Sequence, residues 1–200
     1  MGQTASLATL GVALVAAGGL QAPGSSAGGH PRAVAVLAGG CYWGVESVYR
    51  HVRGIVSVTS GYASPADGPR AEAVRIVFDP SVVTYRRILE VFFSVVHDPT
   101  QLDRQGPDVG PEYRSIVFPA DADQRREVQT YIHALAVARV FPRPIVTTVA
   151  GLASFEPVDA SQQNYAAKHP ADPYIVQNDV PRIEALRRRF PEDYRSELGH

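Results

Sequence analysis

The spacing of apolar side chains divides the first part of the chain into alternating strands and helices. The run Ala33–Ala38 is short and continuously apolar, which is typical of a buried strand. After the break at Gly39-Gly40, apolar residues recur at helical spacing as far as Gly54. Ile55–Thr59 alternates between apolar and polar residues, which predicts a second strand that ends near Gly61.

A third strand is predicted over Ala71–Phe78, before a turn at Asp79-Pro80. Successive side chains of a strand point to opposite faces, so Glu72 shares one face with Val74 and Ile76. Burial on an apolar face favours the neutral form of a carboxyl group. Glu72 is therefore a candidate proton donor, although a solvated position at a strand end would also explain it.

Two more helices and two more strands are predicted further along the chain. The helices cover Tyr85–Val96 and Asp123–Val140, and the strands cover Arg114–Phe118 and Ile145–Val149. Beyond them the pattern indicates mostly coil, apart from a basic helix near Pro181–Arg189.

The order of these elements is strand, helix, strand, strand, helix, strand, which indicates the split βαβ plan. We predict an α+β fold with a ferredoxin-like split βαβ core. In this fold, helices pack on a sheet that contains antiparallel strands, and a long coil-rich C-terminal segment follows. Residues 31–200 are expected to form a single domain. The aperiodic stretch His97–Glu112 is longer than most loops of compact domains, and such loops are usually functional or disordered.

Residues 1–30 differ from the rest and are predicted to lie outside the fold. Leu7–Leu20 is an apolar run of roughly signal-peptide length, followed by a stretch rich in Gly, Ser and Pro. An export signal would have a Lys or Arg before its apolar run, and none precedes this one. An export signal and a disordered leader therefore both remain open. An exported or periplasmic location and a cytoplasmic one are therefore equally compatible with the sequence, and no stable membrane association is expected.

Composition narrows the chemistry. The formal net charge of −1 over 200 residues shows no basic footprint of the kind that nucleic-acid binding requires. The single cysteine, Cys41, excludes an internal disulfide and a C-x-x-C metal site, and no metal is expected. Cys41 follows two glycines at the start of a predicted helix, where backbone amides favour a thiolate. A small buried hydrophobic cysteine at a strand-to-helix corner is the alternative.

Several motifs of this chain resemble those of peptide methionine sulfoxide reductase A. Gly40-Cys41-Tyr42-Trp43-Gly44 with Glu46 resembles the family's G-C-F-W-G-x-E signature, with tyrosine in place of phenylalanine. The likeness continues in chain order to Tyr194 through the following segments: Ser60–Ala63, Ala71–Val74 with Phe78–Pro80, His97–Thr100, Gln105–Ser115, Gln163 with Tyr165, His169-Pro170, Pro173–Ile175, Asn178-Asp179 and Phe190-Pro191.

The resemblance implies a role for each matching residue. Cys41 is expected to attack the sulfur of methionine sulfoxide, and Glu72 to protonate the departing oxygen. Tyr113 is expected to donate a hydrogen bond to that oxygen, and Asp108 to orient substrate and water. The resemblance further implies selectivity for the S epimer. The residues expected to border the S-methyl group and the substrate are Tyr42, Trp43, Gly40 and Gly44.

The chain departs from the family pattern in three places. Only Ser64–Arg70 separates Ala63 from Ala71, where the family has a longer insertion that carries a second oxygen-binding tyrosine. Gln162 replaces the histidine of the family's H-Q element. No second cysteine exists to form a disulfide after turnover, so the Cys41 sulfenic acid must be reduced by an external thiol such as thioredoxin or a small dithiol.

These departures keep other functions open at this point. The main expectation is a monomeric enzyme without a bound cofactor that reduces oxidised proteins or free methionine sulfoxide and is regenerated by a thioredoxin-like reductant. A degenerate family member could instead bind methionine sulfoxide peptides with little or no turnover. A cysteine hydrolase using Cys41 and His97 is a third hypothesis, although nothing in the sequence places an orienting Asn or Asp beside His97.

Overall fold

A six-stranded sheet forms the centre of the computed structural model, which describes Met1 and residues 31–196. The described strands are β1 (Ala33–Gly39), β2 (Ile55–Pro65), β3 (Ala71–Phe78), β4 (Arg104–Gln105), β5 (Asp108–Val109), β6 (Ser115–Phe118), β7 (Thr148–Val149) and β8 (Leu152–Pro157). The order in the sheet is β7-β6-β1-β3-β2-β8, and β4 and β5 form a separate two-stranded ribbon. Neighbouring strands of the sheet are antiparallel except β6 and β7, which are parallel.

The two faces of the sheet carry cores of different size. On β3, Val74 and Ile76 belong to the larger core, which the helices cover, whereas Ala71 and Ala73 belong to a smaller core on the opposite face. Because strand side chains alternate, Glu72 lies on the same side as Val74. The shared face predicted for these residues is therefore present, and it brings the carboxyl group to the helical side of the sheet.

Five α-helices pack around the sheet in the described part of the chain: α1 (Tyr42–Arg50), α2 (Tyr85–Val91), α3 (Ala122–Val137), α4 (Tyr165–Lys168) and α5 (Val180–Arg189). Side-chain caps begin two of them. Thr84 Oγ1 accepts from the Arg87 N–H at 3.1 Å at α2, and Asp121 Oδ1 accepts from the Gln124 N–H at 2.8 Å at α3. Shorter helical turns follow at Phe92–Val96 and Ile175–Asp179, both π-helical, and at Pro111–Tyr113, which is 3₁₀.

The mixed α+β class predicted from the sequence is confirmed, but two finer expectations are not. The ferredoxin-like description is not confirmed, because β7 and β8 add a strand at each edge of the sheet. The coil-rich C-terminal segment is not confirmed either, because it contains an edge strand, a short helix and a π-helical turn in addition to α5, which matches the basic helix predicted near Pro181–Arg189. The leader predicted over residues 1–30 lies outside the described residues, apart from Met1.

The helix predicted over Tyr85–Val96 changes its winding part-way. It is α-helical as far as Val91 and π-helical over Phe92–Val96. The aperiodic stretch His97–Glu112 contains the β4–β5 ribbon, which folds back towards the end of β1. No helix in the described part of the chain is long and apolar enough to cross a membrane.

Candidate active site

Cys41 lies at the junction where β1 ends and α1 begins. It occupies the N-cap position of α1, and its side chain is buried, with 8% exposed. The preceding Gly40 has a φ of 96°, which side-chain-bearing residues rarely adopt. A Cβ at Gly40 would also lie 2.7 Å from Cβ and Cγ of Gln105. The chain can therefore turn sharply into α1 only with glycine at this position.

Glu72 reaches the same junction from β3. Its Oε2 accepts a hydrogen bond from the Tyr42 N–H at 3.0 Å, and its carboxylate also accepts one from the Cys41 thiol. Burial raises the pKa of Glu72 to about 7, against the lowering effect of the Tyr42 amide and in concert with the nearby Asp108. The sequence-predicted nucleophile and acid are therefore in contact, and the acid holds a proton about half of the time at neutral pH.

The structure corrects the expectation that the helix N-terminus makes Cys41 a thiolate. The Trp43 N–H does donate to the sulfur and lowers its pKa. Burial and the neighbouring Glu72 charge outweigh it and raise the pKa of the Cys41 thiol well above its usual range. The magnitudes of the two effects explain this outcome. A helix terminus contributes about 0.3–1 kcal/mol, which is less than one pKa unit, whereas burial shifts a pKa by up to about 3–5 units.

Two tyrosines and an aspartate complete the polar side of the site. The Tyr174 hydroxyl donates to Asp108 Oδ2 at 2.5 Å and also reaches the Cys41 sulfur. Burial and the charges of Glu72, Asp108 and Cys41 raise the pKa of Tyr113 to about 12. Tyr113 is therefore a neutral hydroxyl donor at physiological pH, within electrostatic range of all three groups. Asp108 and Tyr113 were predicted as site residues from the sequence, whereas Tyr174 was not.

Aromatic rings form the apolar side of the site. The Tyr42 ring meets Trp43 edge to face, with centroids 6.2 Å apart, and meets Tyr62 in the same way at 6.0 Å. Trp43 stacks on Tyr165, with centroids 3.8 Å apart and planes inclined by 9°, and meets Tyr174 edge to face at 6.0 Å. The predicted pair Tyr42 and Trp43 is thus part of a five-ring cluster that Tyr62, Tyr165 and Tyr174 complete.

A polar clamp holds the chain that carries Tyr165 against α1. Glu46 is buried, and its carboxylate accepts from the Asn164 N–H at 2.9 and 3.0 Å and from Ser60 Oγ at 2.7 Å. The Gln163 amide bonds both backbone groups of Ser60 at 2.8 Å. These bonds satisfy the buried carboxylate and bring Tyr165 onto the Trp43 ring.

The two glycines predicted to border the substrate have protein neighbours in the direction of a missing side chain. A Cβ at Gly40 would meet Gln105, and one at Gly44 would overlap Asp179 and Arg182. Both glycines thus permit close packing within the protein. A backbone contact between either glycine and the substrate stays a prediction.

The family model described as peptide methionine sulfoxide reductase matches residues 33–194. The chain belongs to the peptide methionine sulfoxide reductase family. It is 41% identical over 185 residues to peptide methionine sulfoxide reductase MsrA 2 of Mesorhizobium japonicum, covering 86% of this chain and 91% of that one. It is 43% identical over 172 residues to the MsrA of Ralstonia nicotianae, covering 78% and 90%. The family and enzyme class predicted from the motifs are confirmed.

Solved structures resemble the same region. Reduced Mxr1 from Saccharomyces cerevisiae matches with a TM-score of 0.61 and 29% identity, covering 70% of this chain and 87% of that one. Methionine sulfoxide reductase A of Corynebacterium diphtheriae matches with a TM-score of 0.58 and 28% identity, covering 71% and 77%.

The shortened segment in this methionine sulfoxide reductase closes a β-hairpin. β2 and β3 pair from Ile55 and Phe78 up to Ala63 and Ala71, so the connection is a turn at the end of the ladder. The Arg114 guanidinium donates to the carbonyls of Pro69, Arg70 and Pro111. Arg114 thereby ties the turn to the 3₁₀ turn that carries Tyr113.

His97 has a structural position in this family member. Its Nδ1 lies 3.0 Å from the Phe92 carbonyl oxygen and its Nε2 lies 2.7 Å from Ser115 Oγ. Burial lowers its pKa to about 4, so the ring is neutral. With both nitrogens engaged, His97 fixes the loop that it begins and is not free to act as the base of a cysteine hydrolase.

The carboxylates and the thiol of the site do not form a metal centre. Among the described side chains, no group of three or more His, Cys, Asp or Glu is arranged to hold a metal ion.

Proposed function

We propose that this protein reduces the S epimer of methionine sulfoxide, in proteins and in free form, to methionine through a sulfenic acid on Cys41. One observation carries the proposal: Cys41 and Glu72 are in contact, and the pKa of Glu72 is raised to about 7. The reaction needs a nucleophilic sulfur beside a group that can protonate a leaving oxygen. This pair supplies both, Glu72 from β3 and Cys41 from the junction between the neighbouring β1 and α1.

The protonation states of Cys41 and Glu72 suit this reduction. Before substrate binds, the Cys41 thiol is protonated, and the Glu72 charge is one cause of its high pKa. When Glu72 gives its proton to the sulfoxide oxygen, it can take the thiol proton in return. The Cys41 sulfur then bonds to the substrate sulfur. The hydroxyl group passes from the substrate sulfur to the Cys41 sulfur as the bond between the two sulfurs breaks, which releases methionine and leaves Cys41 as sulfenic acid. Cys41 is oxidised by two electrons, and the substrate sulfur is reduced by two.

The surrounding groups orient the sulfoxide. Tyr113 is a neutral donor near both Cys41 and Glu72, which suits a hydrogen bond to the sulfoxide oxygen. The five-ring cluster beside Cys41 offers an apolar surface to the S-methyl group. Sulfur–aromatic contacts contribute about 0.3–1.5 kcal/mol each. We assign to Asp108, which accepts a hydrogen bond from Tyr174, the orientation of the substrate and of the water released later.

Regeneration requires an external reductant. Cys41 is the one cysteine of the sequence, so no second thiol of the chain can attack its sulfenic acid. One external thiol displaces water to form a mixed disulfide, and a second thiol releases Cys41. Thioredoxin or a small dithiol supplies both thiols, and no bound cofactor takes part. A monomer suffices for every step and stays our expectation.

Steady-state turnover tests the proposal. Protein with excess dithiothreitol and N-acetyl methionine S-sulfoxide should release N-acetyl methionine, whereas the R epimer should remain. Cys41→Ser should retain the fold by circular dichroism and lose turnover. Binding of the S epimer without product would instead support a binding-only protein, an alternative that no described residue favours. Residual turnover in Cys41→Ser would refute the assignment of the nucleophile.

A further inference from the structure

A buried ion pair lies behind the first turn of α1, on elements far along the chain from Cys41. Asp179, at the end of the π-helical turn, is completely buried, and its Oδ1 lies 3.5 Å from Arg182 Nη1. Within the described residues, neither carboxylate oxygen of Asp179 has a hydrogen-bond partner. The Arg182 side chain is 14% exposed, and its Nη1 likewise lacks a hydrogen bond there. Such a pair is costly to bury, so its place in the fold calls for a reason.

The pair is in direct contact with the turn that holds the reacting groups. A Cβ on Gly44 would overlap both Asp179 Oδ1 and Arg182 Nη1, so the two charged groups press on the backbone of α1 at this residue. The two residues before Gly44 supply the working amides: the Tyr42 N–H bonds Glu72, and the Trp43 N–H bonds the Cys41 sulfur. Any shift of Gly44 would move both donors.

The anionic member of the pair also acts on Cys41. The Asp179 carboxylate raises the pKa of the thiol, together with Glu72. Asp179 itself faces three other charged groups, namely Arg182, which lowers its pKa, and Asp108 and Asp172, which raise it. Burial dominates and raises the pKa of Asp179 to about 6, so it is largely ionised at neutral pH. The Arg182 cation therefore partly offsets the effect of the Asp179 carboxylate on the nearby Cys41 thiol.

We infer that Asp179 and Arg182 form a charge-balanced pair beside the nucleophile, which packs against the first turn of α1 and sets the acidity of Cys41. The inference rests on the proposed function, in which Cys41 is the attacking group. It assigns a task to two residues that do not touch the substrate. It also explains why position 44 has no side chain.

Alkylation of Cys41 by iodoacetamide tests the pair without any substrate. The chain has one cysteine, so incorporation reports on Cys41 alone, and below its pKa the rate follows the thiolate fraction. At pH 9, Asp179→Asn leaves the Arg182 cation unopposed and should speed alkylation by about threefold or more, which is about half a pKa unit. Arg182→Met leaves the anion unopposed and should slow it by a similar factor.

The double variant Asp179→Asn/Arg182→Met separates charge from loss of packing. It removes both charges and should return the rate to within about twofold of the parent. Arg182→Lys, which keeps the charge, and Arg188→Met, an exposed arginine of the same helix, should also match the parent. A structural effect alone would open the site and speed alkylation in both single variants.

The outcomes decide the inference separately from the proposed function. Rates that rise in both single variants, or a double variant that keeps the Asp179→Asn rate, would overturn the pair's electrostatic role. If Asp179→Asn does not fold, faster alkylation in Arg182→Met would by itself overturn this role. The proposed function would survive either result, because turnover of the parent on the S epimer is measured independently.

Discussion

Replacing Glu72 with glutamine removes the transferable proton and leaves most of the local geometry in place. A glutamine carbonyl oxygen can still accept the Tyr42 N–H bond that Glu72 Oε2 accepts at 3.0 Å. The amide is uncharged at every pH, so the variant also removes the charge that raises the pKa of the Cys41 thiol. The substitution therefore distinguishes the role of the acid from that of the nucleophile, because it removes the proton donor while the Cys41 thiol should become easier to ionise.

The structure sets the size of the expected effect. A carboxyl group with a pKa of about 7 is protonated about half of the time at pH 7, whereas at the usual value of 4.5 about one in 300 would be. Burial thus raises the proton-donating population about 150-fold. Since a positioned general acid contributes about 10²–10⁴-fold, we expect kcat/KM of Glu72→Gln to fall by that range at pH 7.

The pH dependence of the loss distinguishes an acid from a structural residue. Below about pH 7 Glu72 of the parent is mostly protonated, so a further drop in pH should not increase the parent rate through this group. The variant should gain from protons in solution, so the difference in kcat/KM between the two should shrink towards acidic pH. The assay is kcat/KM for N-acetyl methionine S-sulfoxide from pH 5 to 9. Glu156→Gln, the same exchange at an exposed position of the sheet, should match the parent. A deficit that does not change with pH, or slower alkylation of Cys41 in Glu72→Gln, would refute the reasoning.

Three further predictions concern stability and binding. Because folding raises the pKa of Glu72, protonated Glu72 stabilises the folded state fully below about pH 4.5, and this stabilisation is lost as pH rises through about 7. Urea unfolding should therefore show a free energy of unfolding that falls by at most about 3 kcal/mol over this range, and Glu72→Gln should lack this fall. Gly40→Ala should lower stability by about 1–3 kcal/mol in thermal unfolding, because φ is positive and Gln105 fills the space, whereas Gly151→Ala, with open space around it, should not. Trp43→Ala should raise KM more than it lowers kcat in steady-state kinetics, because it removes the ring between Tyr165 and Tyr174; an unchanged KM would place the methyl group elsewhere.

Sequence pattern predicted the elements whose burial alternates or repeats clearly. The face of β3 that carries Glu72 followed from alternation alone, since Val74 and Ile76 beside it are fully buried. The edge strand Leu152–Pro157 did not follow, because five of its six residues are exposed and only pairing with β2 makes it a strand. The π-helical turn at Phe92–Val96 has the same apolar spacing as the helix before it, so its change of winding left no trace in the pattern.

The site was predictable where residues cluster in the sequence and unpredictable where packing brings them together. Cys41, Tyr42 and Trp43 are neighbours in one motif. Tyr174 reaches Asp108 across 66 residues, and nothing local indicates that contact. The acidity of Cys41 was mispredicted for a similar reason, because the helix terminus is visible in the sequence whereas the depth of burial is not.

The most direct test of the account is a single turnover without added thiol. Reduced protein is mixed with excess N-acetyl methionine S-sulfoxide, and the products and the mass of the intact protein are measured. We predict about one methionine formed per protein molecule and a gain of one oxygen atom, located on the peptide that contains Cys41. Methionine formed without oxygen on Cys41, or no methionine from a folded and fully reduced protein, would contradict the account.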